Sequence, residues 1–502
     1  MPSTGSEKFK SLVDSNAERL DDLAVVEQYE NTEDAVSDVS LDVKAEKALV
    51  RKLDMRILPI LCLMYLAAYL DRSNIGNSRT LPQGIEEVLG GDPTGALFNW
   101  ITSIFFFSYI LYQLPATLLA KLFPPNLYLG VSSIGFGLCS TLMATGFNFG
   151  GLMVCRLFLG AFEAMFGPGM PLYFSYFYTK HEIGLRMAYW FGFAAVAGAF
   201  GGLIAFGVAH TNTAISQWRL LFIIEGVPAM VIGFVALKFL PGRPESTGFF
   251  NEKERELALA RRNRGTSGDS GYKLQRRHIV SAFSDWRIYA GGVIYFSANA
   301  VVASISAFLP TILTTLNYTD AKANLMTVPP YAATAVVLTG TAWISDRIQL
   351  RGPFVCLYAA IGGIGYLILL IVHDNPHVRY FAVFCIVIGT YTVIGITISW
   401  YAHNLGSETK LATGSPIYQG IGQCGSVLGS HLFPKADGPL YEKDFAVLCA
   451  LEFLAAICAA VLVVYYKREN ARRDRVYGKV HPDAFVDTSE LADKAPDFRY
   501  IP

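Results

Sequence analysis

Four charged residues stand where the surrounding sequence is apolar. Asp71 and Arg72 adjoin in LDRSNIGN, residues 70–77, near the end of the run ILPILCLMYLAAYLDRSNIG that starts at Ile57. Arg156 and Glu163 stand in CRLFLGAFEAMFGPGMP, residues 155–171. A charge near the centre of a bilayer costs roughly 2.5–3.5 kcal/mol on insertion scales, so such side chains face a protein interior or a wet cavity and have partners there. Arg156 and Glu163 are two helical turns apart, on one face and about 10 Å apart along the axis. An arginine keeps its proton and grips a carboxylate through a bidentate fork. Burial disfavours the charge on a neighbouring carboxyl group while the arginine favours it, and the balance can bring titration close to the working pH. Two arginines and two carboxylates in one place therefore suit proton-coupled handling of a small anion. A static salt-bridge network is the competing reading.

The elements that must position these residues are membrane spans. Of 502 residues, 52% are apolar and 16% charged, against about 25% charged in ordinary soluble domains. That excludes a large water-soluble enzyme with a charged shell. Basic and acidic residues balance at 41 each, so nothing points to nucleic acid as a partner. The eight cysteines lie in apolar stretches without a CxxC pair and read as small buried hydrophobes. No metal site and no cofactor is expected. Apolar runs long enough to span a hydrocarbon core of about 30 Å fall at 57–78, 98–121, 127–146, 151–174, 186–209 and 218–240. A second six fall at 288–316, 326–346, 353–373, 378–402, 411–433 and 444–466.

The predicted fold class is thus an all-α membrane protein of twelve transmembrane helices in two six-helix halves. Residues 1–55 read as a disordered acidic cytosolic tail, 56–241 as the N-terminal half and 242–287 as a cytosolic linker. Residues 288–466 form the C-terminal half and 467–502 a second cytosolic tail. A six-plus-six array with a polar linker is the outline of a secondary transporter built from inverted three-helix repeats. The positive-inside rule puts both termini, Lys180, Arg186, the linker, Arg347, Arg351 and the KRENARRDR tail in the cytosol. The sequon at Asn317 then falls on the outer side as a candidate glycosylation site. Small residues crowd helix 5 (AAVAGAFGGLIAFG) and helix 11 (GIGQCGSVLG), as expected where backbones pack closely in lipid. Tyr109 and Gln113 in helix 2, Tyr295 and Asn299 in helix 7, and Tyr391 in helix 10 are polar candidates for a cavity wall. Arg219, Glu225 and Glu452 read as structural.

With these residues in view, the chain resembles the major facilitator superfamily, in particular anion:cation symporters of the fungal allantoate permease group. The resemblance runs from Arg56 to Arg475. It rests on LDRSNIGN, RLFLGAFEAMFGPG, GAFGGLIAFG, WRLLFIIEG, LPGRPES, FLPTIL, LMTVPPY, SDRIQLRG and ENARRD. It implies the major facilitator fold and proton-coupled carriage of small anions such as vitamins and ureides. Carried over by motif, Arg72 and Arg156 would hold substrate, with Asn299, Tyr109 and Gln113 as further contacts, and Asp71 and Glu163 would take part in proton coupling. SDRIQLRG resembles a gating motif, in which Asp346 works with Arg347 and Arg351. Two positions depart from the pattern. The loop LAKLFPPNLYLG lacks the superfamily's Asp-Arg, and Gln113 and Thr117 stand where the group usually has Glu and Asn.

The leading expectation is therefore a monomeric, multi-pass importer of a small organic anion, driven by protons across a fungal cell membrane. The vacuolar membrane is the alternative location. Export of a fungal metabolite is the runner-up within transport, and a non-transporting nutrient sensor represents another class. A membrane enzyme is disfavoured, because no nucleophile–base pair or metal-ligand spacing is in view.

Overall fold

The long apolar runs all become helices, because within lipid every backbone N–H and C=O must be bonded inside its own segment. The computed structural model describes residues 43–79, 81, 84–90, 95–245, 247–263, 266–267, 274–314, 320–434, 440–480 and 486–502. The predicted tail up to residue 42 and the sequon residue Asn317 lie outside the described residues. Among the described residues are twelve long helices, in chain order. They are α1 (Val43–Arg79), α2 (Ala96–Leu122), α3 (Pro125–Met143), α4 (Phe149–Phe177), α5 (Lys180–Ala209) and α6 (Gln217–Phe239). The second six are α7 (Trp286–Thr314), α8 (Val328–Ile348), α9 (Gly352–Ile371), α10 (Pro376–Asn404), α11 (Glu408–His431) and α12 (Glu442–Tyr477). A 3-10 turn at Gly167–Gly169 divides α4, where Pro168 cannot donate to the helical ladder. Residues up to Lys52 form one unit, described only in the first turns of α1, and Leu53–Pro502 form the helical body.

Ten of the described helices are long and apolar enough to cross a membrane; α8 and α11 are the exceptions. The runs at 326–346 and 411–433 are thus the least apolar of the predicted twelve. For α11 the reason is burial. Its Gly, Ser, Thr and Gln residues face other helices rather than lipid, with Thr413, Gln419, Gln423, Ser426 and Ser430 all buried. Elsewhere the outward faces carry large exposed apolar side chains, such as Leu111, Phe234, Val336 and Ile457. In water such a surface would drive association; in a bilayer it meets acyl chains.

The packing repeats itself after six helices. The pairs α3–α6, α2–α4 and α3–α4 recur as α9–α12, α8–α10 and α9–α10. Across the halves, α2 packs on α11 and α5 on α8, so the interface follows the same repeat. Close approach needs glycine both there and inside a half. A Cβ on Gly76 of α1 would stand 2.4 Å from the Ser306 carbonyl of α7 across the halves, and within the C-terminal half one on Gly425 of α11 only 2.0 Å from the Phe296 carbonyl of α7. Backbone approach of this kind is how helices associate in lipid.

The sequence boundaries move at both ends. Helix α1 begins at Val43, ahead of Ile57, and α12 runs on to Tyr477, past the predicted limit at 466. Beyond α12 the polar residues 486–502 are folded. Val486–Asp487 pair in parallel with Thr266–Ser267 of the α6–α7 connection. This connection marks one end of the body, the connection end.

Candidate functional site

Helix α1 carries Tyr65, Tyr69 and Arg72 at intervals of four and three residues, so one face presents two phenols and a guanidinium. That face forms a wall of an interior cavity of about 500 Å³. Arg72 and Tyr109 of the N-terminal half, Asn299 of α7, and Gln419 and Gln423 of α11 line it together with Trp190 and Tyr295. A second space of about 370 Å³ shares Tyr69, Arg72, Asn299 and Val302 and continues among Ile75, Phe106, Ala303 and Ser426. Arg72 and Asn299 thus stand between two chambers.

The four charged residues converge, as the helical spacing predicts, and do so as two adjoining pairs. Arg72 Nε lies 2.5 Å from Glu163 Oε1, with Glu163 nearly inaccessible and Arg72 partly open to the cavity. The Arg72 guanidinium stacks on Phe105 and Tyr109, at 5.1 and 4.9 Å from the ring centres. Such cation–π contacts hold the planar fork in place without occupying all its N–H groups. Behind this pair, Asp71 Oδ1 accepts from Ser140 Oγ at 2.5 Å, and Arg156 Nη1 donates to the Asp71 carbonyl at 3.3 Å. Arg156 also faces the Phe222 ring at 5.9 Å. Arg156 is therefore not on the cavity wall but one layer back from it.

Several buried polar atoms here have no hydrogen-bond partner among the described residues: Asp71 Oδ2, Arg156 Nε and Nη2, Glu163 Oε2 and both oxygens of Glu225. Buried polar atoms are almost always satisfied, so these are places where protons, water or a ligand complete the bonding. Glu225 of α6 is 3% exposed and within electrostatic reach of Asp71 and Arg156. It belongs with the cluster, which a purely structural reading of its sequence context overlooks.

Other candidates take different positions. Gln113 does not line the cavity; its Nε2 donates to the Pro416 carbonyl of α11 at 3.2 Å and so joins the two halves. Lys121 makes a second contact of this kind, to Thr409 Oγ1 at 3.0 Å. Asn299 is on the wall, its amide nitrogen held by the Tyr295 carbonyl at 2.8 Å. Tyr391 bonds to Tyr69 across the halves. Asp346 and Arg351 pair at 2.5 Å, and Arg351 also bonds to Ser399. A Cβ on Gly184 of α5 would stand 2.3 Å from both charged groups, so the pair lies directly against the N-terminal half. Arg347 is exposed and lies over the Trp343 ring instead.

Sequence reasoning missed Tyr65, Tyr69, Trp190, Gln419 and Gln423. The signal was present for four of them: Tyr65–Tyr69 and Gln419–Gln423 are each one helical turn apart in apolar surroundings.

The comparisons with known proteins agree with this architecture. Residues 61–430 match the Major Facilitator Superfamily profile. The chain is 34% identical over 474 residues to the major facilitator-type transporter hxnP of Emericella nidulans, covering 93% of this chain and 95% of that one. It is 31% identical to the high-affinity nicotinic acid transporter of Saccharomyces cerevisiae, covering 91% and 85%. Among solved structures it resembles the Escherichia coli xylose transporter XylE in a partially occluded inward-open conformation. That likeness has a TM-score of 0.61 at 15% identity and covers 81% of this chain and 97% of that one. Its two six-helix halves and the match over most of its length make this chain a member of the Major Facilitator Superfamily, a membrane transporter rather than an enzyme.

Proposed function

We propose that this transporter is a proton-coupled importer of a small organic anion, of the allantoate permease type. The observation that carries the reading is Arg72 on the wall of an aromatic cavity, paired with the buried Glu163 behind it. When Glu163 binds a proton, Arg72 is released to hold a substrate carboxylate through its planar fork. When the carboxylate leaves, Glu163 gives up the proton and recovers its partner. Substrate and proton thus share one arginine, which links their movements. Asp71, Arg156 and Glu225 form a second buried layer that can exchange protons with the first. The rings of Tyr65, Tyr69, Tyr109, Trp190 and Tyr295 favour a flat substrate, and the nicotinic acid transporter among the relatives makes nicotinate the first probe.

In this reading both termini are cytosolic, and the connection end faces the cytosol of a fungal cell. Asp346 and Arg351 act as the gate there, bracing against α5 when that end is closed. The test is nicotinate uptake by proteoliposomes with an imposed pH gradient, acid outside, extended to a panel of aromatic and aliphatic monocarboxylates. Accumulation that collapses with a protonophore is the expected result. Uptake indifferent to the gradient for every compound would sink proton coupling, and gradient-driven efflux alone would favour export.

A further inference from the structure

Residues 486–502 form a folded layer over the connection end of the C-terminal half, tied to nearly every element that ends there. The carbonyl of Pro502 accepts from the backbone N–H groups of Arg351 and Gly352, at 2.9 and 3.2 Å. These residues begin α9, where the first turn has no partners for its N–H groups within the helix. The carbonyl of Ile501 accepts from Trp400 Nε1 at 2.8 Å and Asn404 Nδ2 at 3.0 Å, at the end of α10. Tyr500 exchanges two bonds with Asn470 of α12, at 2.7 and 2.9 Å. Buried Arg473 of α12 donates to the carbonyls of Asp493, Ala495 and Phe498.

The anchor of the layer is Asp493, which is fully buried. Its carboxylate pairs with Lys410 of α11 and with Arg287 of α7. Those two cations also hold Asp285, at 2.8 and 2.5 Å. Two cations and two anions are balanced here, but only while Asp493 is in place. Removing one member of such a buried set leaves charge uncompensated and is strongly unfavourable. Burial raises the proton affinity of Asp285, yet the hydrogen bonds and charges of Arg287 and Lys410 outweigh it and hold its carboxyl at about 2.

The layer touches α7, α9, α10, α11, α12 and the α6–α7 connection. Arg351, whose backbone it holds, points its guanidinium at Asp346 and Ser399 beside Gly184 of the other half. The layer is thus one residue removed from the contact between the halves.

We propose that residues 486–502 are a detachable strap that fixes Arg351 in its engaged position, so that docking or release of the strap sets how readily the connection end opens. The inference rests on the gate reading of Asp346 and Arg351 given above. A modification or partner that draws the strap off Asp493's site would loosen the gate without touching the substrate cavity.

The experiment uses the full chain in nanodiscs, with spin labels introduced as noncanonical amino acids and interlabel distances read by electron resonance. One pair, at Phe123 and Ile348, reports separation of the halves at the connection end. Another, at Leu491 and Tyr477, reports whether the strap is docked. Asp493→Lys puts a third cation beside Lys410 and Arg287 and should expel the strap. The open population at the first pair should then rise by roughly threefold or more. A strap that stays docked in Asp493→Lys overturns the anchor, and a detached strap with an unchanged gate distance overturns the proposal. Arg351→Gln separates the two readings. If it leaves the gate distance unchanged, the gate reading itself fails. If it opens the gate while strap release does not, only the strap proposal falls. A chain ending at Gly478 serves as the second variant should Asp493→Lys not fold. If neither accumulates as folded protein, the segment is a fixed structural part and the proposal is overturned.

Discussion

The two halves share a packing plan and differ in chemistry. In the N-terminal half, Asp71, Arg72, Arg156, Glu163 and Glu225 place five ionisable groups around one point between α1, α4 and α6. In the C-terminal half, the cavity wall is made of amides and rings: Asn299, Gln419, Gln423 and Tyr295. Glu452, a buried carboxyl group of this half, accepts from Thr390 Oγ1 at 2.6 Å and forms no ion pair among the described residues. A repeated scaffold thus carries two unlike linings. Buried charge is collected in one half, where two arginines offset part of the cost of burial. In the mechanism proposed above that half handles the proton and the substrate carboxylate, and the neutral wall of the other half tunes which substrate fits.

The largest expected effect comes from removing the titratable group at the centre of the charged half. Glu163→Gln should abolish gradient-driven accumulation, by roughly an order of magnitude or more, while equal-concentration exchange survives. Accumulation and counterflow measured side by side decide it. Losing both, together with poor expression, would mean that Glu163 only neutralises Arg72. Arg72→Lys comes next. Lysine keeps the charge but lacks the fork, so nicotinate affinity should fall by about tenfold with surface expression unchanged. Unaltered affinity would show that plain charge suffices.

On the neutral side, Gln423→Leu removes hydrogen bonding of about 1 kcal/mol, enough for roughly a fivefold rise in KM for preferred compounds. It should reorder preference within a carboxylate panel and leave the dependence on the pH gradient intact. Glu452→Gln sharpens the contrast further. The amide oxygen can still accept from Thr390, so stability should change by less than about 1 kcal/mol and proton-driven accumulation should persist. If Glu452→Gln instead behaved like Glu163→Gln, the division between the halves would be broken.

The smallest effect concerns pH at the strap. Asp285 lies outside the spans, with its carboxyl held at about 2, below about 3.9 for an unperturbed Asp. A depressed value means its contribution is fully present above about pH 4 and is lost only as pH falls from about 4 towards 2. The Leu491–Tyr477 distance should therefore be the same at pH 8 and pH 5. Undocking in that interval would show that another group controls the strap.

The amino-acid sequence by itself determined the spans, because twelve apolar runs have no stable form in lipid other than helices. It also indicated that Asp71, Arg72, Arg156 and Glu163 can converge, since charges in apolar spans face a protein interior or a wet cavity. It could not say which carboxylate serves which arginine. The pairing of Arg72, on the cavity wall, with buried Glu163, and of Arg156 with the Asp71 carbonyl, follows from the rotation of α1 against α4. Nor does Gln113 differ in sequence from a cavity residue; its place beside Pro416 depends on how α2 meets α11. The joining of Glu225 to the cluster needed α6 folded against α3. Residues 486–502 look like any polar tail, and only the assembled ends of α7, α10, α11 and α12 create the cations and donors that hold them. Local sequence fixes periodicity and burial, whereas partner choice among distant charges belongs to the packing of helices, which no local pattern encodes.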